Sequence, residues 1–160
     1  MAAKRLSFRA VIGLKERRLC EIRTLLGIDP QAEGAPAVAR LSAAAVRVLQ
    51  DTAHTYPLGE AERTVVNQVL STLREYPCLG TCAALHSLVS SACRVAWLLS
   101  VHTPPLRIDT DFTPVVLNPE RHVRYSRGSE QQKRSDLIRS FVWPALLDGD
   151  SCVFRAVVIT

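Results

Sequence analysis

Apolar side chains recur at Phe8, Val11, Ile12, Leu19, Ile22 and Leu26, offsets that keep them on one face of a helix. The spacing predicts a first helix over residues 4–26, with Lys15 interrupting the stripe and Gly27 and Pro30 ending it. Residues 28–36 read as a loop rich in Gly, Pro and Asp. A second helix follows over residues 36–53, opened by Pro36 and faced by Val38, Leu41, Ala45, Val48 and Leu49. Pro57 and Gly59 break the chain before a third helix over residues 60–76. Its buried face is expected at Val65, Val66, Val69, Leu70 and Leu73, with Glu60 and Glu62 in the first turn, where the helix dipole favours acids. Residues 81–101 are apolar on most sides, which predicts a fourth helix lying centrally in a helical cluster.

Pro104-Pro105 stops that helix, and the period changes from 3.6 to 2. Leu106–Ile108 and His122–Tyr125 alternate like short strands, and Pro114 demotes residues 112–117 to an edge or irregular piece. Residues 126–136 are polar and read as an exposed loop. Residues 137–142 fit a strand or a short helix. The strongest strand is Cys152–Ile159, behind a turn at Asp148-Gly149-Asp150-Ser151. An antiparallel hairpin of residues 138–147 with 152–159 follows from these pieces. The expected fold class is α+β: about four N-terminal helices, then a small antiparallel sheet or hairpin. A chain of 160 residues is the size of one domain, here with a helical part (1–103) and a β-rich part (104–160).

Composition adds two constraints. Apolar residues make up 48% and charged residues 22%, near globular averages, so the chain is not a mainly disordered one. The net charge of +5 is concentrated. Residues 1–26 carry seven basic and two acidic side chains, a local balance of +5, and residues 121–139 carry six and two, a balance of +4. Two basic segments on an otherwise acidic body point to an anionic partner or, equally, to a solvated arginine-rich surface. The candidate anion- or lipid-binding residues are Arg5, Arg9, Lys15, Arg17 and Arg18 in the first segment and Arg121, Arg124, Arg127, Lys133 and Arg134 in the second. An arginine-rich amphipathic helix can lie on an anionic membrane, gaining about 1 kcal/mol per well-placed basic residue. Sparse aromatics and the lack of a recognised binding motif argue against nucleic acid.

Five cysteines in no disulfide-scaffold spacing suggest free thiols in a reducing, intracellular compartment. The start of the chain lacks a secretory apolar core but weakly resembles a mitochondrial presequence, being arginine-rich with no acid before Glu16. Residues 82–101 contain His86, Arg94 and four serines, so a buried helix is expected rather than a membrane span. Cys78, Cys82 and His86, four residues apart, would line one face of a helix. Zinc ordinarily draws such ligands from a tight knuckle plus a second element, so buried thiols are expected and no metal or cofactor is assigned. The same Cys82 and His86 leave a cysteine-dependent hydrolase as a remote alternative, without a nucleophile signature around either. Asp109-x-Asp111 reads as turn chemistry. No nucleophile elbow, Walker loop or dinucleotide turn is present, and no catalytic residue is assigned. Trp143-Pro144 must bend the chain out of any sheet, and Trp143 is expected to anchor that bend in the core, the alternative being an exposed anchor for a partner.

Residues 93–160 resemble the C-terminal domain of the mitochondria-eating protein family. The resemblance rests on a helix with Cys93 and Trp97 running into Pro104-Pro105, a polar segment with His122 and Tyr125, and then Val142-Trp143-Pro144-Ala145-Leu146, a short turn and a terminal strand. The Val-Trp-Pro-Ala-Leu string is the specific part, and the pattern departs at Arg155-Ala156, where a glycine would follow the basic residue. The resemblance covers less than half of the chain. It implies an excised domain of a non-enzymatic scaffold in mitochondrial quality control, in the cytoplasm and at the mitochondrial outer membrane or in the matrix. It also implies self-association, contacts with other mitochondrial proteins and binding of the anionic lipid cardiolipin. Trp97, Trp143 and Pro144 are then structural or interaction residues. A purely protein-binding module for acidic partners is the alternative.

Overall fold

The computed structural model describes residues 2–28, 35–109, 111–113, 116–125 and 135–160. Contacts divide the chain between His102 and Thr103 into two compact units, Ala2–His102 and Thr103–Thr160.

The first unit is helical: α1 (Ala2–Leu25), α2 (Pro36–Asp51), α3 (Gly59–Thr72), a 3-10 turn (Pro77–Thr81) and α4 (Ala83–Val101). Helix α4 packs against α1, α2 and α3. Its buried face is Val89, Cys93, Ala96, Trp97, Ser100 and Val101. Among the described residues it is also the one helix long and apolar enough to cross a membrane. The expected central place is met, while Leu88 and Val95 remain exposed. Helix α1 buries Ser7, Phe8, Val11 and Leu14, while Ile12 is half-buried. The predicted stripe fades at its end, where Leu25 is 85% exposed and Leu26 is exposed as well. Val48 of α2 and Leu73, just beyond α3, are likewise exposed rather than buried. A 3.6 period assigns a face, but a helix can bury only as much of it as its neighbours cover.

Two polar side chains organise this unit. Arg94 on α4 donates to the carbonyls of Ala53 and Tyr56, both at 2.9 Å, satisfying backbone acceptors just beyond the end of α2. The Tyr56 ring stacks on Trp97, with centroids 4.3 Å apart. Lys15 reaches the Ser100 carbonyl at 2.8 Å, near the C-terminal end of α4, where carbonyls lack intrahelical partners and favour cations. Burial pushes the Lys15 ammonium below its ordinary pKa.

Among the described residues the second unit holds six short strands: β1 (Arg107–Ile108), β2 (His122–Arg124), β3 (Ser140–Trp143), β4 (Leu146–Asp148), β5 (Ser151–Phe154) and β6 (Ala156–Ile159). They form two sheets, ordered β1-β4-β5 and β2-β6-β3. The expected antiparallel hairpin forms, with β3 and β4 running against β6 and β5. Its two arms each switch sheets midway, at Pro144-Ala145 and at Arg155. Buried Pro144 lacks the N–H to continue a ladder, and the Ala145 carbonyl instead accepts the Asp109 amide at 2.8 Å. Antiparallel pairing holds within each half, β3 with β6 and β4 with β5, while β2 joins β6 in parallel. The predicted turn closes β4 onto β5 through Gly149, whose φ of 56° matches the first central position of a type II′ hairpin turn. The predicted irregular piece contributes one isolated bridge, Val116 to Leu137. The buried core of this unit is small: Ala145, Ala156 and Val158, with Leu117, Ile138, Phe141, Leu147 and Cys152 packed against it.

Candidate interaction surfaces

The basic side chains proposed as an anion site are largely engaged within the protein. Arg17 and Arg18 both reach the Glu60 carboxylate, at 2.6 and 2.9 Å, and Arg18 also holds Glu21 at 2.7 Å. These bonds to Glu21 hold the Arg18 guanidinium still more firmly protonated. Lys15 is committed to the Ser100 carbonyl. Arg5 and Arg9 are exposed on α1. In the second unit Arg124 pairs with Asp136 at 2.6 Å and also donates to the Ser135 carbonyl, and Arg121 lies 3.7 Å from Asp109. Arg127, Lys133 and Arg134 lie outside the described residues. Glu60 is the residue that periodicity and charge counting missed. Both read it as a favourable acid at a helix start, and only packing of α1 against α3 makes it a shared counter-ion.

The cysteines are dispersed. Cys78 sits in the 3-10 turn, Cys82 caps α4 and the His86 Nε2 lies 2.9 Å from the Gly80 carbonyl, so the three share no continuous helical face. Among the described residues no group of three or more His, Cys, Asp or Glu side chains is placed to hold a metal. Cys93 is buried, which pushes its thiol pKa up. Asp109 and Asp111 each accept a backbone amide two residues on, from Asp111 and Thr113, which is turn chemistry. The hydroxyl of Thr113 first, and its amide second, hold the Asp111 carboxyl below its usual range. A hollow of about 680 Å³ in the helical unit is lined by Glu62, Arg63, Asn67, His86, Ser87 and Ser90, with Val66, Leu70 and Val89 beneath them.

The two tryptophans part company. Trp97 is fully buried. Trp143 is 45% exposed, which corrects the expectation that it anchors the core. The cause is a bulge. Phe141 pairs with Val158 and Trp143 with Val157, so Val142 is an extra residue on β3. In a regular strand Trp143 would share the inward face of Phe141, which packs on the core. One inserted residue turns it outward. The same device recurs on β5. Cys152 pairs with Leu147 and Phe154 with Leu146, so Val153 is inserted. Cys152 packs on the core, whereas Val153 and Phe154 are each 58% exposed. Two bulges thus present two apolar pairs, Val142-Trp143 and Val153-Phe154, at the ends of the strands nearest the two sheet switches. Pro144, between them in sequence order, is buried at the first switch.

Comparison with known proteins bears on what these surfaces belong to. A family model described as mitochondria-eating protein matches residues 1–160, the helical first half included. A curated relative, the mitochondria-eating protein of Danio rerio, is 24% identical over 103 residues, 61% of this chain. That alignment covers 20% of the relative, so the matched part of the chain spans about a fifth of that protein's length. No solved structure matches. The chain belongs to the mitochondria-eating protein family.

Proposed function

We propose that the chain is a non-enzymatic binding domain of a mitochondrial quality-control scaffold, working by association with protein, another copy of itself included. The family name is the support for mitochondrial quality control and for a place at the mitochondrion. The observation that carries the mode of action is the pair of bulges that turn Val142-Trp143 and Val153-Phe154 outward, against a core of three buried residues. Exposed aromatic and aliphatic side chains of this kind are what a protein partner buries. The described cations support lipid docking less well, because Lys15, Arg17, Arg18, Arg121 and Arg124 already face internal acceptors. Docking to an anionic lipid such as cardiolipin is the second reading, favoured by the exposure of Arg5 and Arg9 on one helix.

Sedimentation velocity across protein concentration, combined with flotation on cardiolipin vesicles at low and high salt, separates the two. Association that grows with protein concentration, needs no lipid and survives high salt is expected. A chain that stays monomeric throughout and binds vesicles in a salt-sensitive way, lost in the Arg5→Glu and Arg9→Glu double variant, overturns the protein reading in favour of lipid.

A further inference from the structure

We propose that His122 is a pH-sensitive latch, holding the turn that leads into β2 closed while its imidazole is neutral and releasing it on protonation. The latch is built from backbone bonds that converge on five residues. His122 Nδ1 accepts the Asn118 amide at 3.0 Å. The Asn118 carbonyl in return accepts the amides of Arg121 and His122, and its side-chain oxygen accepts Glu120 N–H at 2.9 Å. The closed turn then presents two acceptors to the strand that matters most. The Arg121 carbonyl takes the Ala156 amide at 2.8 Å, and the Pro119 carbonyl takes Arg155 Nη1 at 3.1 Å. Ala156 opens β6, the central strand of its sheet and one of the three buried core residues.

A ring nitrogen can accept a hydrogen bond only while it is unprotonated. With Nδ1 occupied as an acceptor, the neutral ring carries its proton on Nε2. Imidazolium formation turns Nδ1 into a donor facing a donor, and the part-buried Asn118 amide loses its partner beside the buried ring. The surroundings do not compensate. The ring meets Phe141 of β3 edge-on at 5.7 Å and pairs in register with Ala156 of β6, both uncharged. Arg121, its neighbour on the turn, repels a second positive charge. Arg155 brings another cation to the same turn. Asp109, beyond β1, is the acid acting in the opposite direction, but it already lies 3.7 Å from Arg121. Arg124, two residues on, is paired with Asp136.

The direction of the effect follows. Burial first, and Arg121 second, push the His122 pKa below its ordinary 6.5. The unfolded or opened turn binds a proton more readily than the closed one. The stability that the neutral ring contributes is therefore complete above the unfolded value near 6.5, and is lost as the pH falls from there through the lowered folded value. Acidification opens the Asn118–His122 turn and the start of β6.

Nitrogen-15 NMR of the histidine rings, followed with backbone amide protection between pH 7.5 and 5, tests this on the full chain. At neutral pH His122 should show an unprotonated Nδ1 and a protonated Nε2. Its titration midpoint should lie below 6.5, and protection of the Asn118 and Ala156 amides should fall at least tenfold over the same interval, after correction for intrinsic exchange. A ring protonated on Nδ1, or Asn118 and Ala156 protection that is unchanged while His122 titrates, overturns the latch. His122→Gln supplies an acceptor that does not titrate and should abolish the pH dependence of Ala156 protection. If that dependence persists in the folded Gln variant, another group carries it and the assignment to His122 falls.

Discussion

The helical unit and the β unit solve the same problem with different means. The helical unit closes its core around α4 with a fully buried tryptophan, a stacked tyrosine and an arginine that satisfies two backbone carbonyls. The β unit has strands of two to four residues and a buried centre made of two alanines and a valine. Two of its largest apolar side chains, Trp143 and Phe154, are turned out rather than in. Such a unit depends more on backbone bonds and turns than on burial, and it retains apolar surface for something else to cover. The lesson is that a low apolar count in a core is not the same as a lack of apolar residues. It can record where bulges have sent them.

Trp97→Ala should strain the contrast most. It leaves a cavity against Tyr56 and should cost about 3–5 kcal/mol of unfolding free energy, measured by urea denaturation. The matching Trp143→Ala, at a 45% exposed site, should cost well under half of that and instead weaken self-association. Equal losses of stability at the two positions would erase the distinction between the units.

Arg94→Met keeps the aliphatic bulk but strands the carbonyls of Ala53 and Tyr56. A loss of about 2–3 kcal/mol is expected, confined to the helical unit in a hydrogen-exchange map. In the β unit, Gly149→Ala forces a side chain into the left-handed region at φ 56° and should cost about 1–2 kcal/mol, with loss of protection in β4 and β5. The smallest effect belongs to the surface pair. A double-mutant cycle on Arg17 and Glu60 should return a coupling of about 0.2–1 kcal/mol, shrinking with salt. A larger, salt-independent coupling would mean that α1 is clamped to α3 by this pair rather than by apolar packing.

Much of the helical unit was legible because its elements are long. Prolines and glycines punctuate it, and Phe8, Val11, Val65, Val66 and Val89 fall on faces that a 3.6 period predicts. The same period could not tell that Leu25, Val48 and Val95 lie beyond the reach of any neighbour. The strands were legible as apolar pieces and as an antiparallel hairpin, but not as two sheets. Val142 and Val153 look like ordinary members of an alternating run, and nothing local distinguishes a paired residue from an inserted one. The arginines were found by counting, yet their use was not, since Glu60 lies 42 and 43 residues from the side chains it holds.

What the sequence determined by itself is the set of local decisions. It set where the four helices lie, that the chain changes character at Pro104-Pro105, that Pro144 must leave a ladder, and that Asp148–Ser151 turns. Each follows from a backbone restriction carried by one or two residues. The tertiary structure decided which arginines are neutralised, which tryptophan is buried, and that two apparent strands divide between two sheets. Those outcomes depend on pairings between residues distant in sequence, and a single extra residue in a ladder reverses the side on which every following side chain falls.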